Sequence, residues 1–214
     1  NAVAPTSGTG TWTNLTGNPS AAVFTNPNDP KSTVGSLTTG VYQFLWTVSN
    51  GLCADSKDTV QVTVNPQTVP GTLSASATVC ATANNGTLSL TGYTGNIVRW
   101  ESSIDGGTTW TTIANTTNSL VYNNLSATTQ YRVSVQSGVC SPLYSNIITI
   151  TVLQAVSTAN AGPDQVLCST TSASLNAVAP TSGTGTWTNL TGNPSAAVFT
   201  NPNDPKSTVG SLTT

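Results

Sequence analysis

A perfect internal duplication constrains this sequence more than any other feature. Residues 1–39 and 176–214 are identical, both reading NAVAPTSGTGTWTNLTGNPSAAVFTNPNDPKSTVGSLTT, at an offset of 175. The chain therefore reads as one full repeat of a longer periodic array plus the opening stretch of the next. Repeat architectures solve one packing problem and stack the solution, so the repeat unit has to be found before any fold is assigned. Perfect identity suggests recent expansion or homogenisation, as in surface proteins whose task is length. The competing reading is a two-domain protein with an incidental duplication.

Composition narrows the fold class. There are 41 Thr and 25 Ser, with 18 Gly and 12 Pro. Thr and Val favour strands, and Gly, Pro, Asn and Asp favour turns. No stretch shows a helical apolar period. Hydrophobic residues make up 36% of the chain, enough to build cores. Charged residues make up only 6%, against about 25% in ordinary globular chains.

The absences exclude function classes. The chain has no His, a single Glu (Glu101) and only five Lys plus Arg. Loss of His removes the commonest general base and zinc ligand, and no catalytic set can be assembled. Five cations with a net charge of −2 do not suit a nucleic-acid partner. No apolar run is long enough to insert in a membrane.

The four cysteines are Cys53, Cys80, Cys140 and Cys168. The separation of Cys80 from Cys140 equals that of Cys168 from the next copy of Cys53. Equal spacing suggests two domains with one disulfide plan. Cys80 is expected to pair with Cys140, and Cys53 and Cys168 with partners in neighbouring repeats. A closed loop of that size stabilises by roughly 4 kcal/mol in the chain-entropy model. Disulfides imply an oxidising, extracellular setting; the competing reading is four buried thiols.

The alternation of apolar residues divides the chain into three segments. Residues 1–66 and 154–214 are parts of one sandwich type, lacking N-terminal and C-terminal strands respectively. Residues 67–153 form a second, complete type. In the first type Tyr42, Phe44, Trp46 and Val48 share a face, as do Val60, Val62 and Val64. In the second, seven short strands are expected: TLSASATVC, GTLSLTG, NIVRWESS, TWTTIA, SLVYNN, TQYRVSVQS and SNIITITV. Val98 and Trp100 should face Tyr131, Val133 and Val135. Trp100 follows Cys80 at a spacing that matches Trp187 after Cys168 to within one position, so the two are matched core positions. Tyr42 and Tyr131 sit where a tyrosine corner is expected. The linkers 65–71 and 154–159 are short, and the former holds two prolines, which stiffens it. The expected architecture is all-β: tandem sandwiches in an extended rod.

Each motif has a structural reading beside a functional one. Ser103–Trp110, SIDGGTTW, fits the Asp-box hairpin found in sialidases, where it is a structural turn. Arg99, Glu101 and Arg132 fall together on the outward sheet face, read as an exposed charge cluster or as a contact point for a lateral partner. Asp29, Asp55, Asp58, Asp164 and Asp204 match no calcium-loop spacing, so structural calcium is possible but not indicated, and no cofactor is expected. Trp12, Trp46, Trp110 and Trp187 are candidates for binding sugar. Asn14, Asn85, Asn115, Asn124 and Asn189 sit in N-x-Ser/Thr sequons, which so Asn/Thr-rich a chain produces by chance.

Several segments carry a resemblance. NAGPDQVLC, GTGTW, the run from Asn26 to Cys53 and DTVQVTVN resemble PKD-like domains of large Bacteroidota surface proteins. GTLSASATVC, GYTGNIVRWESSIDGGTTWTTI and LSATTQYRVSVQSGVC resemble the immunoglobulin-like domains that accompany them. The resemblance implies a secreted, type IX-exported adhesin or filament of the gliding-adhesin kind. It also implies O-glycosylation at Asp-Ser/Thr-X motifs, which Asp58-Thr59-Val60 fits. The expected protein is not an enzyme. It is a structural or adhesive cell-surface fibre whose partners are other repeats of the chain, laterally associated fibres or surface glycans. The alternative is a carbohydrate-binding accessory module of a large secreted hydrolase.

Overall fold

The computed structural model describes residues 2–81 and 83–213, and all its regular secondary structure is β. Compactness groups them into two units, and the division cuts through the middle of the chain. One unit holds 1–75, 87–121 and 130–149, and the other holds 76–86, 122–129 and 150–214.

The first unit begins with β1 (Thr9–Asn14), β2 (Val23–Phe24), β3 (Val34–Gly35), β4 (Gly40–Ser49) and β5 (Ser56–Val64). The antiparallel sheet runs β1-β4-β5, and β2 and β3 form a separate ladder. Period-2 alternation in β4 sends Tyr42, Phe44 and Trp46 inward, where they bury with Trp12 and Ala22. Phe24, Leu37, Val62 and Val64 pack against this cluster. Edge strand β5 stays wetter: Val60 is 41% exposed.

Residues 69–154 supply β6 (Val69–Leu73), β7 (Ala77–Cys80), β8 (Asn85–Thr94), β9 (Asn96–Ser103), β10 (Thr111–Ile113), β11 (Ser119–Asn123), β12 (Thr129–Gln136), β13 (Leu143–Tyr144) and β14 (Ile148–Leu153). They form a β-sandwich. One sheet runs β11-β8-β6; the other runs β10-β9-β12 and continues to β14, with β13 beside β12. Leu73, Leu88, Leu90, Ile97, Trp100, Tyr131, Val133, Val135 and Ile148 are its buried core. The Trp100 indole donates to Thr117 O at 2.9 Å and Leu73 N to Asn146 Oδ1 at 2.7 Å, bonds that join each sheet to a loop leading to or from the other; Leu90 N donates to Asn118 O at 2.8 Å beside the β8–β11 pairing.

Two expectations are corrected here. TLSASATVC is not one strand: it breaks at Ser74–Ser76 into β6 and β7, and β7 pairs in parallel with β14 in the second unit. Val98 does not face the core. The β9–β12 register runs Arg99 against Ser134 but Ile97 against Val135, so a bulge leaves Val98 without an opposite residue. The extra residue reverses the alternation, burying Ile97 and leaving Val98 39% exposed.

The second unit closes with β15 (Ala173–Ser174), β16 (Val198–Phe199) and β17 (Thr208–Gly210), ordered β15-β17-β16. The matched tryptophans share one further feature. Trp12 donates its indole N–H to Asp29 O at 3.2 Å, Trp187 to Asp204 O at 3.0 Å, and Trp100 to Thr117 O. In each case the acceptor lies 17 residues downstream. Dissimilar sequences thus anchor the inner Trp to the same kind of loop.

Candidate interaction site

Glu101 organises the outer face of β9 and β12. It is directly opposite Arg132 in the ladder, and Arg99 is its neighbour on the same face. Arg132 Nε donates to Glu101 Oε2 at 2.7 Å and Arg99 Nε to Glu101 Oε1 at 2.6 Å. The expected exposed charge cluster is thus corrected: the Glu101 residue is only 4% exposed. Two aromatic residues on neighbouring elements flank the cluster. The Arg132 guanidinium lies 4.0 Å from the ring centroids of both Trp110 and Tyr144. Tyr144 also accepts from Arg99 at 2.7 Å and donates to Glu101 Oε1 at 3.3 Å.

The electrostatics follow from this packing. Burial pushes the Glu101 carboxyl up, but hydrogen bonds from Arg132 and then Arg99 outweigh it, so its pKa falls below the ordinary range. The same bond, donated by Arg99 to Glu101, raises the Arg99 pKa. Two cations around one anion leave a net positive, aromatic-edged patch. Guanidinium stacked on rings and paired with a carboxylate is held in one orientation.

The Asp-box hairpin positions Trp110. Gly106 and Gly107 take positive φ of 73° and 89°, which lets the chain turn tightly. Ser103 Oγ donates to Asp105 Oδ1 at 2.7 Å, and Asp105 accepts from Thr109 N at 2.9 Å. Hydrogen bonds from the Thr109 side chain, the Thr109 amide and Ser103 hold the Asp105 carboxyl far below the usual range. The Trp110 indole donates to Gly107 O at 3.0 Å, which sets the ring against Arg132. The motif is a turn that delivers a stacking ring.

Other singled-out residues fall elsewhere. The Tyr42 hydroxyl accepts from Thr38 N at 2.7 Å and bonds Ser20 at 2.6 Å, the tyrosine-corner geometry. Tyr131 is buried on β12. Trp12, Trp46 and Trp100 are buried in cores, and Trp187 is half-buried. Asp29 and Asp204 accept backbone N–H groups in their own turns, Asp58 accepts from Thr59 N on β5, and Asp55 lies 3.8 Å from Lys57. Among the described residues no three His, Cys, Asp or Glu gather as metal ligands. Thr59 is exposed on edge strand β5.

The expected Cys80–Cys140 bridge is not formed, and all four cysteines are free. Topology explains it. Cys80 pairs with Leu153, the last residue of β14, while Cys140 Sγ lies 3.4 Å from Pro66 O, ahead of β6.

Sequence reasoning missed Tyr144 and Asn84. Tyr144 lies on a two-residue strand with no alternation to reveal it. Asn84 is buried and spans Cys80 O and Leu125 O at 2.8 Å each, also accepting from Leu125 N. Only tertiary proximity brings Asn84 and Leu125 together.

Residues 69–154 match the model of a domain of unknown function (DUF8696). No curated protein matches. Among solved structures the chain is similar to the FN1-FN3 domains of chicken CNTN1 at 13% identity, covering 95% of this chain and 78% of that one, with a TM-score of 0.36. It is also similar to the insect immune protein hemolin at 16% identity and a TM-score of 0.35, covering 95% of this chain and 60% of that one.

Proposed function

We propose that this chain is part of an extracellular, non-enzymatic adhesive or structural fibre built from alternating β-sandwich modules, of the PKD-like and immunoglobulin-like kind found in large Bacteroidota surface proteins. The observation that carries the reading is the arrangement of segments. Two identical stretches, 1–39 and 176–214, flank a different sandwich with its own core, and the same Trp-to-carbonyl anchor recurs in all three. Alternating unlike modules separates identical neighbours, which otherwise invite misassembly.

Within such a fibre, the Arg99–Glu101–Arg132 patch with Trp110 and Tyr144 is the contact point for a lateral partner. Arg and aromatic residues concentrate binding energy at protein interfaces. O-glycosylation of Thr59 would cover the open edge of β5, where an unpaired strand otherwise recruits other chains. The carbohydrate-module alternative needs a planar row of exposed tryptophans. Burial of Trp12, Trp46 and Trp100, with Trp110 spent on Arg132, leaves no such row among the described residues.

The test is electron microscopy of the secreted, multi-repeat protein. Strands of roughly 20 Å plus loops make modules of about 40 Å, so the fibre should show an axial period of ~80 Å. A globular particle without that period overturns the fibre reading. Replacement of Arg132 by Ala should reduce lateral bundling while leaving the axial period unchanged.

A further inference from the structure

The free cysteines occupy the two ends of the modules in a regular order. One end is where β5 leads into the sandwich of residues 69–154. Val64, the last residue of β5, pairs with Gly40. Asn65 follows and packs on the turn at Gly138, where an added Cβ would run into the Asn65 side chain. Cys140 belongs to this turn and touches Pro66 O. The Cys168-type position points to the same junction. Leu212 N donates to Thr171 O at 3.0 Å, placing the Cys168 loop beside Leu212, which is the copy of Leu37. Leu37 lies just before Gly40, the partner of Val64.

The other junction has the same form with the types exchanged. Cys80 pairs with Leu153, and shortly afterwards Ser157 N donates to Ser182 O at 3.1 Å, while Val156 packs on Gly183. Ser182 is the copy of Ser7, whose Oγ accepts from Asn50 Nδ2 at 3.0 Å. Cys53 N in turn donates to Asn50 O at 3.2 Å. The Cys53 turn therefore belongs beside the segment that follows Cys80.

We propose that these cysteines close disulfides across the junctions between successive modules and none within a module. Cys140 pairs with the Cys168-type cysteine of the preceding module, and Cys80 with the Cys53-type cysteine of the following one. The equal spacing that suggested bonds within modules also makes these two spans nearly equal, so it does not separate the pairings. Each bond clamps a short linker and stiffens the array. The inference rests on the tandem-array reading.

The chemistry needs an external disulfide. One cysteine thiolate attacks glutathione disulfide and expels one glutathione; the second thiolate attacks the mixed disulfide and expels another. Two protons leave the thiols and two electrons pass to glutathione.

Thiol titration after folding in a glutathione redox buffer tests this on two chains. Residues 1–214 hold none of the junction partners, so all four thiols of this chain should remain titratable. A bond between Cys80 and Cys140 would leave two and overturn the proposal. A chain of two complete repeats should block six of its eight thiols, leaving the first Cys53-type and the last Cys80-type free. Non-reducing digestion with trypsin and chymotrypsin should yield linked peptides joining Cys140 to Cys168-type and Cys80 to Cys53-type sequences. Eight blocked or eight free thiols overturn the assignment. Micrographs of the same sample report the array separately. A linear particle with the wrong bonds sinks only the disulfides, whereas a collapsed particle sinks the array and the assignment with it.

Discussion

One stretch of sequence folds in two settings within this chain, and the two results differ in an instructive way. Thr9–Asn14 is a strand, but its copy at 184–189 is not a strand at all. In the first setting β4 lies alongside and pairs residue for residue from Thr9↔Ser49 to Asn14↔Phe44. Trp12 meets Trp46 with centroids 4.9 Å apart and is 9% exposed, while Trp187, without that partner, is half-buried. The second setting has a different advantage. There β15 pairs with β17 and Val209 is buried at 7%, while its copy Val34, lacking such a neighbour, is half-buried.

Much of the segment is nevertheless identical in both. Trp12 N and Trp187 N donate to Pro27 O and Pro202 O, each at 2.8 Å. Asn14 Nδ2 donates to Ala22 O and Asn189 Nδ2 to Ala197 O. The ladders Val23↔Gly35 and Val198↔Gly210 are the same, as is the stacking of Trp12 on Phe24 and of Trp187 on Phe199. Turns and short-range bonds close within the segment. The strand forms only when a non-local partner supplies the other half of its hydrogen bonds.

The largest expected effect is to give the second copy what it lacks. Appending a second copy of residues 40–66 after Thr214 should convert 184–189 into a strand. Amide exchange there should slow by orders of magnitude, with a blue shift of Trp187 fluorescence; unchanged exchange would show that β4 is not the missing element. Next, Trp46→Ala should break the first copy toward the second. It removes the Trp12 partner at a cost of about 3–5 kcal/mol, and exchange at 9–14 should approach that at 184–189. A smaller change probes the sandwich of 69–154, which has its own core and serves as a reference. The lowered Glu101 pKa means this carboxylate stabilises the fold above its unfolded value and loses that contribution as pH falls through its folded value. Glu101→Gln should cost roughly 1.5–3 kcal/mol at neutral pH and flatten the acid limb of a thermal melt series. The smallest is Tyr42→Phe, which deletes the hydroxyl bonds to Thr38 and Ser20 and should cost about 1 kcal/mol in the first copy only.

The legible parts of this protein were those with short-range causes. Alternation in Tyr42, Phe44 and Trp46 marked β4 and its inward face. The Ser103–Trp110 motif announced its turn; the spacing of Trp100 and Trp187 suggested two matched core positions, but Trp100 is buried and Trp187 only half-buried, and what they share is the anchor to a carbonyl 17 residues on. Val98 escaped because a one-residue bulge reverses inside and outside without any local signature. The Glu101 site was half legible. Its three charged members share a face by alternation, but the rings of Trp110 and Tyr144 that stack on Arg132 arrive from other elements. The Cys80–Cys140 pairing failed because equal spacing says nothing about which end of a strand a loop occupies.

The duplication marks the same division. By itself the sequence determined the all-β class and the side chains of β4 that face inward, and the turn bonds of 26–30 recur unchanged at 201–205, because each depends on neighbours close along the chain. Tertiary structure alone decided whether TGTWTN became a strand, whether Trp12 or Trp187 was covered, and which cysteines lay near which linker. A strand's hydrogen bonds and half of its cover come from another strand, so identical residues cannot carry that outcome within themselves.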